Sequence, residues 1–383
     1  VCMKTLFTLA ACLFMLVANA QFLIGSRNIT FNDPSRNRNI GTQIRYPGET
    51  AGANAVVAEG SFPVLVMGHG FAMGFDVYSN LWNYFVPKGY IVALPTTEGS
   101  LIPAPSHGAF GLDLAFVAQA LQAANTDPSS PFFGKVAPAT ALMGHSMGGG
   151  ASFLGAANNS NIQALVNFAP AETNPSAIAA AANVTVPTMV IAGANDCVTP
   201  IAEHQGPMYA ALTTSCRAFV NITGASHCQF AESNFNCNFG ELTCSPSAAI
   251  SRGIQHSIVN DFAGLWLDHF LKGVPGAFEA IQDSIANSTR VVAQFDCLTT
   301  GVNEAGAPDW TIAPVPANDR LIVRGVSGGD QLRVLDILGR EVMTSRAADA
   351  TVELAIGELP AGTYRLLVMH QGRTGVRAFV VAR

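Results

Sequence analysis

The sequence predicts an α/β protein, a mostly parallel central sheet flanked by helices, followed by a small β-sandwich. Three observations carry this. Through residues 21–300, apolar runs short enough for buried strands alternate with segments of helical period. Residues 316–383 show only short alternating strands broken by glycine-rich turns, with no helical period. The charge balance also changes: ten Lys plus Arg face nineteen acids in 21–315, whereas 316–383 hold nine Arg, no Lys and seven acids.

The elements follow in order. Lys4, the apolar run from Leu6 to Val17 and the small-residue site Ala18-Asn19-Ala20 read as a signal peptide over 1–20, cleaved before Gln21. Leu9-Ala10-Ala11-Cys12 also resembles a lipoprotein box, but the apolar run continues past Cys12, which favours cleavage after Ala20. The run is too short to span a bilayer, so the expectation is export to the cell surface or beyond without stable membrane insertion. Alternating stretches at 28–31 and 41–46 predict an antiparallel edge hairpin. Buried strands are expected at 63–67, 90–94, 139–143, 164–168, 188–192 and 218–222, with helices at 77–86, 110–124, 147–157, 201–212 and 254–271. A Gly/Ala/Pro-rich stretch, 301–315, reads as a linker between a catalytic region over 21–300 and the β-sandwich over 316–383. The sandwich strands are expected at 320–323, 331–337, 352–354, 364–369 and 377–381.

Composition narrows the function. With 49% hydrophobic residues the chain can bury a large core, and a net charge of −6 supplies no basic field for nucleic acid or an anionic membrane. Cleavage after Ala20 leaves Cys197, Cys216, Cys228, Cys237, Cys244 and Cys297, an even count that reads as three disulfides in an exported protein. No Cys-x-x-Cys pair with partner spacing is present, so no metal site is expected. Cys197 and Cys228 follow neighbouring strands at one rim and are expected to pair, as are Cys237 and Cys244. Cys216 stands at the far end of its strand, about 17 Å away by strand rise, and is left for Cys297.

Gly144-His145-Ser146-Met147-Gly148 fits G-x-S-x-G, with a strand running in and a helix rich in small residues running out. Such a turn forces Ser146 into a strained conformation and sets it at a helix N-terminus, the arrangement of an activated nucleophile. A serine hydroxyl also needs a base and a group that holds the base. Asp196, just past the strand at 188–192, and His227, just past 218–222, stand at strand ends on the same rim and are the candidates. His256 is the strongest rival base. An oxyanion would take backbone N–H groups from Met147 and from Phe71, in the loop Gly68-His69-Gly70-Phe71, where His69 is expected to orient the loop by hydrogen bonding.

These motifs, with Asp196 and His227, resemble the α/β-hydrolase superfamily over roughly 31–271. The similar branch holds bacterial cutinases, PETase-like polyester hydrolases, chlorophyllases and dienelactone-hydrolase-like esterases. The resemblance implies a lidless serine carboxylic ester hydrolase for short- to medium-chain esters, with polymeric esters as further substrates and no cofactor or metal. A serine peptidase on the same fold and a catalytically silent surface protein are the alternatives. Polyester hydrolases of this kind place a Trp in the loop after the strand at 164–168. Here Asn174 holds that apparent position, so Phe71 and Asn174 are the expected substrate contacts. The segment 228–252 is an insertion expected to wall the pocket. The C-terminal region, through Leu332-Arg333-Val334-Leu335-Asp336-Ile337-Leu338-Gly339-Arg340 and Leu359-Pro360-Ala361-Gly362-Thr363-Tyr364, resembles the sorting domain of type IX secretion cargo. That resemblance implies the type IX machinery as a partner.

Overall fold

A computed structural model of the chain describes residues 21–297, 310–336, 340–370 and 373–382. The expected leader, 1–20, lies outside the described residues, and so does most of the expected linker. The chain divides into two units after Cys297.

Among its described residues the first unit is built on ten strands: β1 (Leu23–Asp33), β2 (Arg38–Gly48), β3 (Gly52–Ala53), β4 (Phe62–Gly68), β5 (Ile91–Pro95), β6 (Val136–His145), β7 (Ala164–Phe168), β8 (Thr188–Gly193), β9 (Cys216–Ile222) and β10 (Val291–Cys297). Their order across the sheet is β10-β9-β8-β7-β6-β4-β5-β2-β1-β3. The run β5-β4-β6-β7-β8-β9 is parallel throughout. The β1–β2 hairpin adds antiparallel to β5, and β10 closes the opposite edge antiparallel to β9. Among the described residues eight α-helices accompany them: α1 (Ser79–Phe85), α2 (His107–Ala124), α3 (Met147–Ala156), α4 (Ala177–Ala181), α5 (Gln205–Ala211), α6 (Phe235–Gly240), α7 (Arg252–Lys272) and α8 (Ala277–Asn287).

Burial on both faces explains why the parallel strands read as continuous apolar runs. Successive side chains of a strand point to opposite faces, and β4 shows the consequence. Val64 and Val66 join a core with Phe110, Leu114 and Val117 of α2 and Ala151 and Phe153 of α3. Leu65 and Met67 join the other core, with Leu81 and Phe85 of α1 and Phe262 and Trp266 of α7. Ser251 caps α7 by accepting from Ile254 N–H, and Gly273 ends it in the left-handed conformation at φ 62°.

The sequence reading stops at β9 plus one helix, whereas the structure adds α8 and β10. β10 buries only one face, so its residues lack the fully apolar run of the interior strands. Its register sets Cys297 directly opposite Cys216, and these two form a disulfide, as expected. The other two pairings differ from expectation: Cys197 joins Cys244, and Cys228 joins Cys237. The physical reason lies in α6, whose first turn folds Cys237 back on Cys228 and leaves the chain beyond it to bring Cys244 to the rim at Cys197. No helix among the described residues is long and apolar enough to cross a membrane.

Among its described residues the second unit has two antiparallel sheets. One orders β11 (Thr311–Ala313), β12 (Arg320–Arg324) and β15 (Thr351–Ala355). The other orders β14 (Glu341–Arg346), β13 (Gln331–Leu335), β16 (Gly362–His370) and β17 (Arg373–Val381). Leu321, Val323, Leu332, Val334, Leu366 and Val368 alternate into one core. Tyr364 and Phe379 face each other in register, stacked with centroids 5.7 Å apart inside it. The expected linker needs correction at its end: Trp310 is buried and Thr311–Ala313 is strand, so this unit begins before residue 316. Of the sorting-domain stretch, 337–339 lies outside the described residues.

Candidate active site

Ser146 stands between β6 and α3 at φ 54° and ψ −122°, a region that L side chains rarely occupy. Its backbone is held there: Ser146 N–H donates to Phe168 O at 3.0 Å, and Ser146 O accepts from Ala171 N–H at 2.9 Å and Gly150 N–H at 3.1 Å. The flanking glycines are required by contact. A Cβ on Gly144 would lie 2.2 Å from Gly148 O, and one on Gly148 would lie 2.2 Å from the backbone of Gly68. The turn is therefore as tight as the motif implies, and it presses α3 against the end of β4.

Asp196 and His227 follow β8 and β9, which are parallel neighbours. His227 Nδ1 lies 2.8 Å from Asp196 Oδ2, with both side chains buried. Asp196 Oδ1 accepts from Val198 N–H at 2.9 Å and Thr199 N–H at 2.8 Å, so the carboxylate is clamped by its own loop. Thr199 Oγ1 sits 2.8 Å from Asp196 Oδ2 and 3.0 Å from His227 Nδ1, and accepts from Gln205 Nε2 at 2.9 Å. Thr199 and Gln205 are absent from the sequence reading. The signal for the first was available, because a Thr three residues after an Asp suits a turn closed by side-chain oxygens. Among the described residues Ser146 Oγ makes no hydrogen bond, and base–nucleophile contacts commonly tighten only with substrate present. The rival base His256 lies on α7, its Nε2 buried without a partner among the described residues.

His145, beside Ser146, is fully buried between two groups. Its Nε2 is 3.1 Å from His227 O and its Nδ1 is 3.0 Å from Tyr78 Oη. A carbonyl only accepts, so Nε2 carries the proton and Nδ1 accepts from the Tyr78 hydroxyl. Tyr78 Oη in turn accepts from Gly70 N–H at 2.7 Å. Burial, helped by the neighbouring His227, drives the His145 pKa well below its ordinary value, and burial pushes the Tyr78 phenol up. Both stay neutral, as this relay requires.

The loop after β4 brings Phe71 to the same rim, its side chain about half exposed at 49%. Among the described residues neither Phe71 N–H nor Met147 N–H has a protein acceptor. His69 supports this loop: it is buried, with Nδ1 2.9 Å from Gly70 O and Nε2 2.9 Å from Thr97 O. Burial lowers its pKa, so the neutral ring donates to one of the two carbonyls at a time. Thr97 Oγ1 donates to the buried Asp113 at 2.6 Å, which Arg36 and Arg38 neutralise at 2.8 and 2.7 Å. Asn174 is exposed in the loop after β7, its N–H donating to His107 Nδ1 at 3.1 Å, three residues beyond the Ala171 contact with Ser146.

Segment 228–252 is tied to three parts of this rim, beside His227, Asp196 and Phe71. Glu241 Oε1 accepts from Cys228 N–H at 2.8 Å and Oε2 from Ser226 Oγ at 3.2 Å, one residue to either side of His227. Cys244 bonds Cys197, next to Asp196. Asn236 Nδ2 donates to Ala72 O at 2.6 Å, next to Phe71. Arg252 anchors the end of the segment on the carbonyls of Cys228 and Ala231.

Comparison with known proteins places the chain in a family. Residues 35–245, which contain Phe71, Ser146, Asp196 and His227, match the family described as PET hydrolase-like. Residues 311–382 match the secretion system C-terminal sorting domain. Cutinase 1 of Thermobifida cellulosilytica is 35% identical over 88 residues, which is 23% of this chain and 32% of that protein. The bis(hydroxyethyl) terephthalate hydrolase of Streptomyces coelicolor is 33% identical over 87 residues, 22% of this chain and 27% of that protein. The chain thus spans about a third or less of the length of these curated relatives. The first match, in contrast, runs over more than half of this sequence, and the chain belongs to the PET hydrolase-like family.

Proposed function

We propose that this chain is an exported serine carboxylic ester hydrolase acting on short- to medium-chain esters, with polyester cleavage as a weaker activity. Ser146 Oγ attacks the ester carbonyl while His227 Nε2 takes its proton. Asp196 holds the Nδ1–H tautomer and stabilises the imidazolium that forms. The oxyanion accepts from Phe71 and Met147 N–H, at the N-terminus of α3. His227 then protonates the leaving alkoxide, and water repeats the sequence on the acyl-enzyme. The observation that supports this most is the His227–Asp196 hydrogen bond beside a serine at φ 54°. The names of the cutinase and terephthalate-ester relatives agree with it. Export fits the sorting-domain match, and we assign that unit to recognition by the type IX machinery.

The test is Ser146→Ala with p-nitrophenyl butyrate. Turnover should fall by a factor on the order of 10⁶ with the melting temperature preserved. A variant that keeps more than about a hundredth of the wild-type rate overturns the assignment.

A further inference from the structure

Among the described residues the Asp196 carboxylate has four hydrogen-bond partners, one for each of its lone-pair directions. Val198 N–H and Thr199 N–H both reach Oδ1, and these two backbone bonds already close the turn after β8. The other oxygen, Oδ2, holds His227 Nδ1 at 2.8 Å, and there Thr199 adds its hydroxyl at the same distance. That hydroxyl also lies 3.0 Å from His227 Nδ1 and 2.9 Å from Gln205 Nε2. An ionised carboxylate only accepts, so Nδ1 carries the ring proton and the Thr199 proton points to Oδ2. Ala169 O, another acceptor beside this hydroxyl, is uncharged and more distant, at 3.3 Å. Gln205 Nε2 donates its second proton to Pro170 O at 3.0 Å, and a carbonyl there fixes the nitrogen end of the amide on this side. Pro170 directly precedes Ala171, whose N–H holds Ser146 O.

We propose that Thr199 is a positioning residue for the reaction, with Gln205 setting the direction of its hydroxyl, a role that rests on the ester-hydrolase reading above. The turn has no need of this hydroxyl, since backbone N–H groups close it on Oδ1. The hydroxyl acts on the oxygen that faces His227 instead. A second donor on Oδ2 fixes the plane of the carboxylate, and with it the line along which the imidazole must lie. When His227 takes the Ser146 proton, its Nδ1–H faces both Asp196 Oδ2 and a lone pair of Thr199 Oγ1. The ring thus becomes charged against acceptors that are already in place. Gln205 gives the hydroxyl its sense: an amide proton pointing into Oγ1 leaves the Thr199 proton for the carboxylate. The same amide ties this hydroxyl to the loop that holds the Ser146 backbone. Thr199 and Gln205 are both buried, so each acts through Asp196 and His227 and not on the ester itself.

The experiment measures p-nitrophenyl butyrate turnover by the full-length chain and three variants. Thr199→Val keeps the shape and removes the hydroxyl. Its kcat should fall about tenfold with KM within about twofold, the size of effect expected of one hydrogen bond to a charged group. Thr199→Ser restores the hydroxyl and should bring kcat back to within about threefold of wild type. Gln205→Leu leaves the hydroxyl in place without its guide and should lower kcat about threefold, again with little change in KM. This third variant carries the test if Thr199→Val does not fold. A kcat for Thr199→Val within about twofold of wild type overturns the role, as does a Thr199→Ser variant that loses as much as Thr199→Val. A lower melting temperature with kcat untouched in Gln205→Leu overturns the part given to Gln205. A wild type inert toward p-nitrophenyl butyrate overturns the ester-hydrolase reading instead, whereas an active wild type indifferent to Thr199→Val overturns the positioning role alone.

Discussion

Tyr78 Oη accepts from Gly70 N–H and donates to His145 Nδ1, so one phenol couples the loop that carries Phe71 to the histidine that supports the His227 backbone. Neither end of this link touches substrate in the proposed mechanism, which makes Tyr78 a positioning residue. Tyr78→Phe keeps the ring and strands two buried polar groups, at a cost of about 1–3 kcal/mol each if neither finds a new partner. Turnover of p-nitrophenyl butyrate should fall about tenfold while KM moves less than about threefold, because the loop geometry matters most when the oxyanion forms. A change in melting temperature with kcat untouched would reduce Tyr78 to a packing role.

The same burial predicts how stability depends on pH. His145 and His69 are held neutral, with pKa values lowered chiefly by desolvation from an ordinary 6.5. In the unfolded chain both take protons near pH 6.5, so below that pH the unfolded state binds more protons than the folded one. Their contribution is fully present above 6.5 and is lost as pH falls from there toward the folded values. Urea unfolding should show a midpoint that drops between pH 7.5 and pH 5.0, with a limiting slope of about 1.4 kcal/mol per pH unit for each histidine. A flat midpoint across that window would contradict two neutral buried imidazoles.

Legibility in the sequence followed burial. Strands β4 to β9 are apolar on both faces and could be read as runs, and the motif around Ser146 is local, so Ser146, Asp196 and His227, the proposed nucleophile, acid and base, could all be placed at strand ends. β10 and β14 alternate in burial but not in sequence, because the exposed Val292 and Val342 put apolar residues on the solvent face and blur the period of two. The supports of the site were the least legible part. Tyr78 to His145 spans 67 residues and Asn236 to Ala72 spans 164, and no local pattern reports contacts at such separations. Two of the three disulfide pairings failed for a related reason, Cys216–Cys297 being the exception: placing Cys197 and Cys228 on one rim was a statement about strands, while their partners are chosen by the turn of α6.

That connectivity leads to the last prediction. Non-reducing peptide mapping should link Cys197 to Cys244, Cys216 to Cys297 and Cys228 to Cys237. Closing a loop restricts the unfolded chain more as the loop lengthens, so the separation of 47 residues at Cys197–Cys244 is worth up to about 4 kcal/mol, against about 2.5 kcal/mol for the separation of 9 at Cys228–Cys237. Cys197→Ser with Cys244→Ser should therefore lower the unfolding free energy more than Cys228→Ser with Cys237→Ser. For activity the order should reverse. Cys228 adjoins His227, the proposed base, and Cys237 lies within α6, so releasing that pair loosens the backbone that carries the histidine. Measured by urea unfolding and by kcat/KM on p-nitrophenyl butyrate, the two double variants should rank oppositely. The same ranking in both assays would mean that the staples act on stability alone.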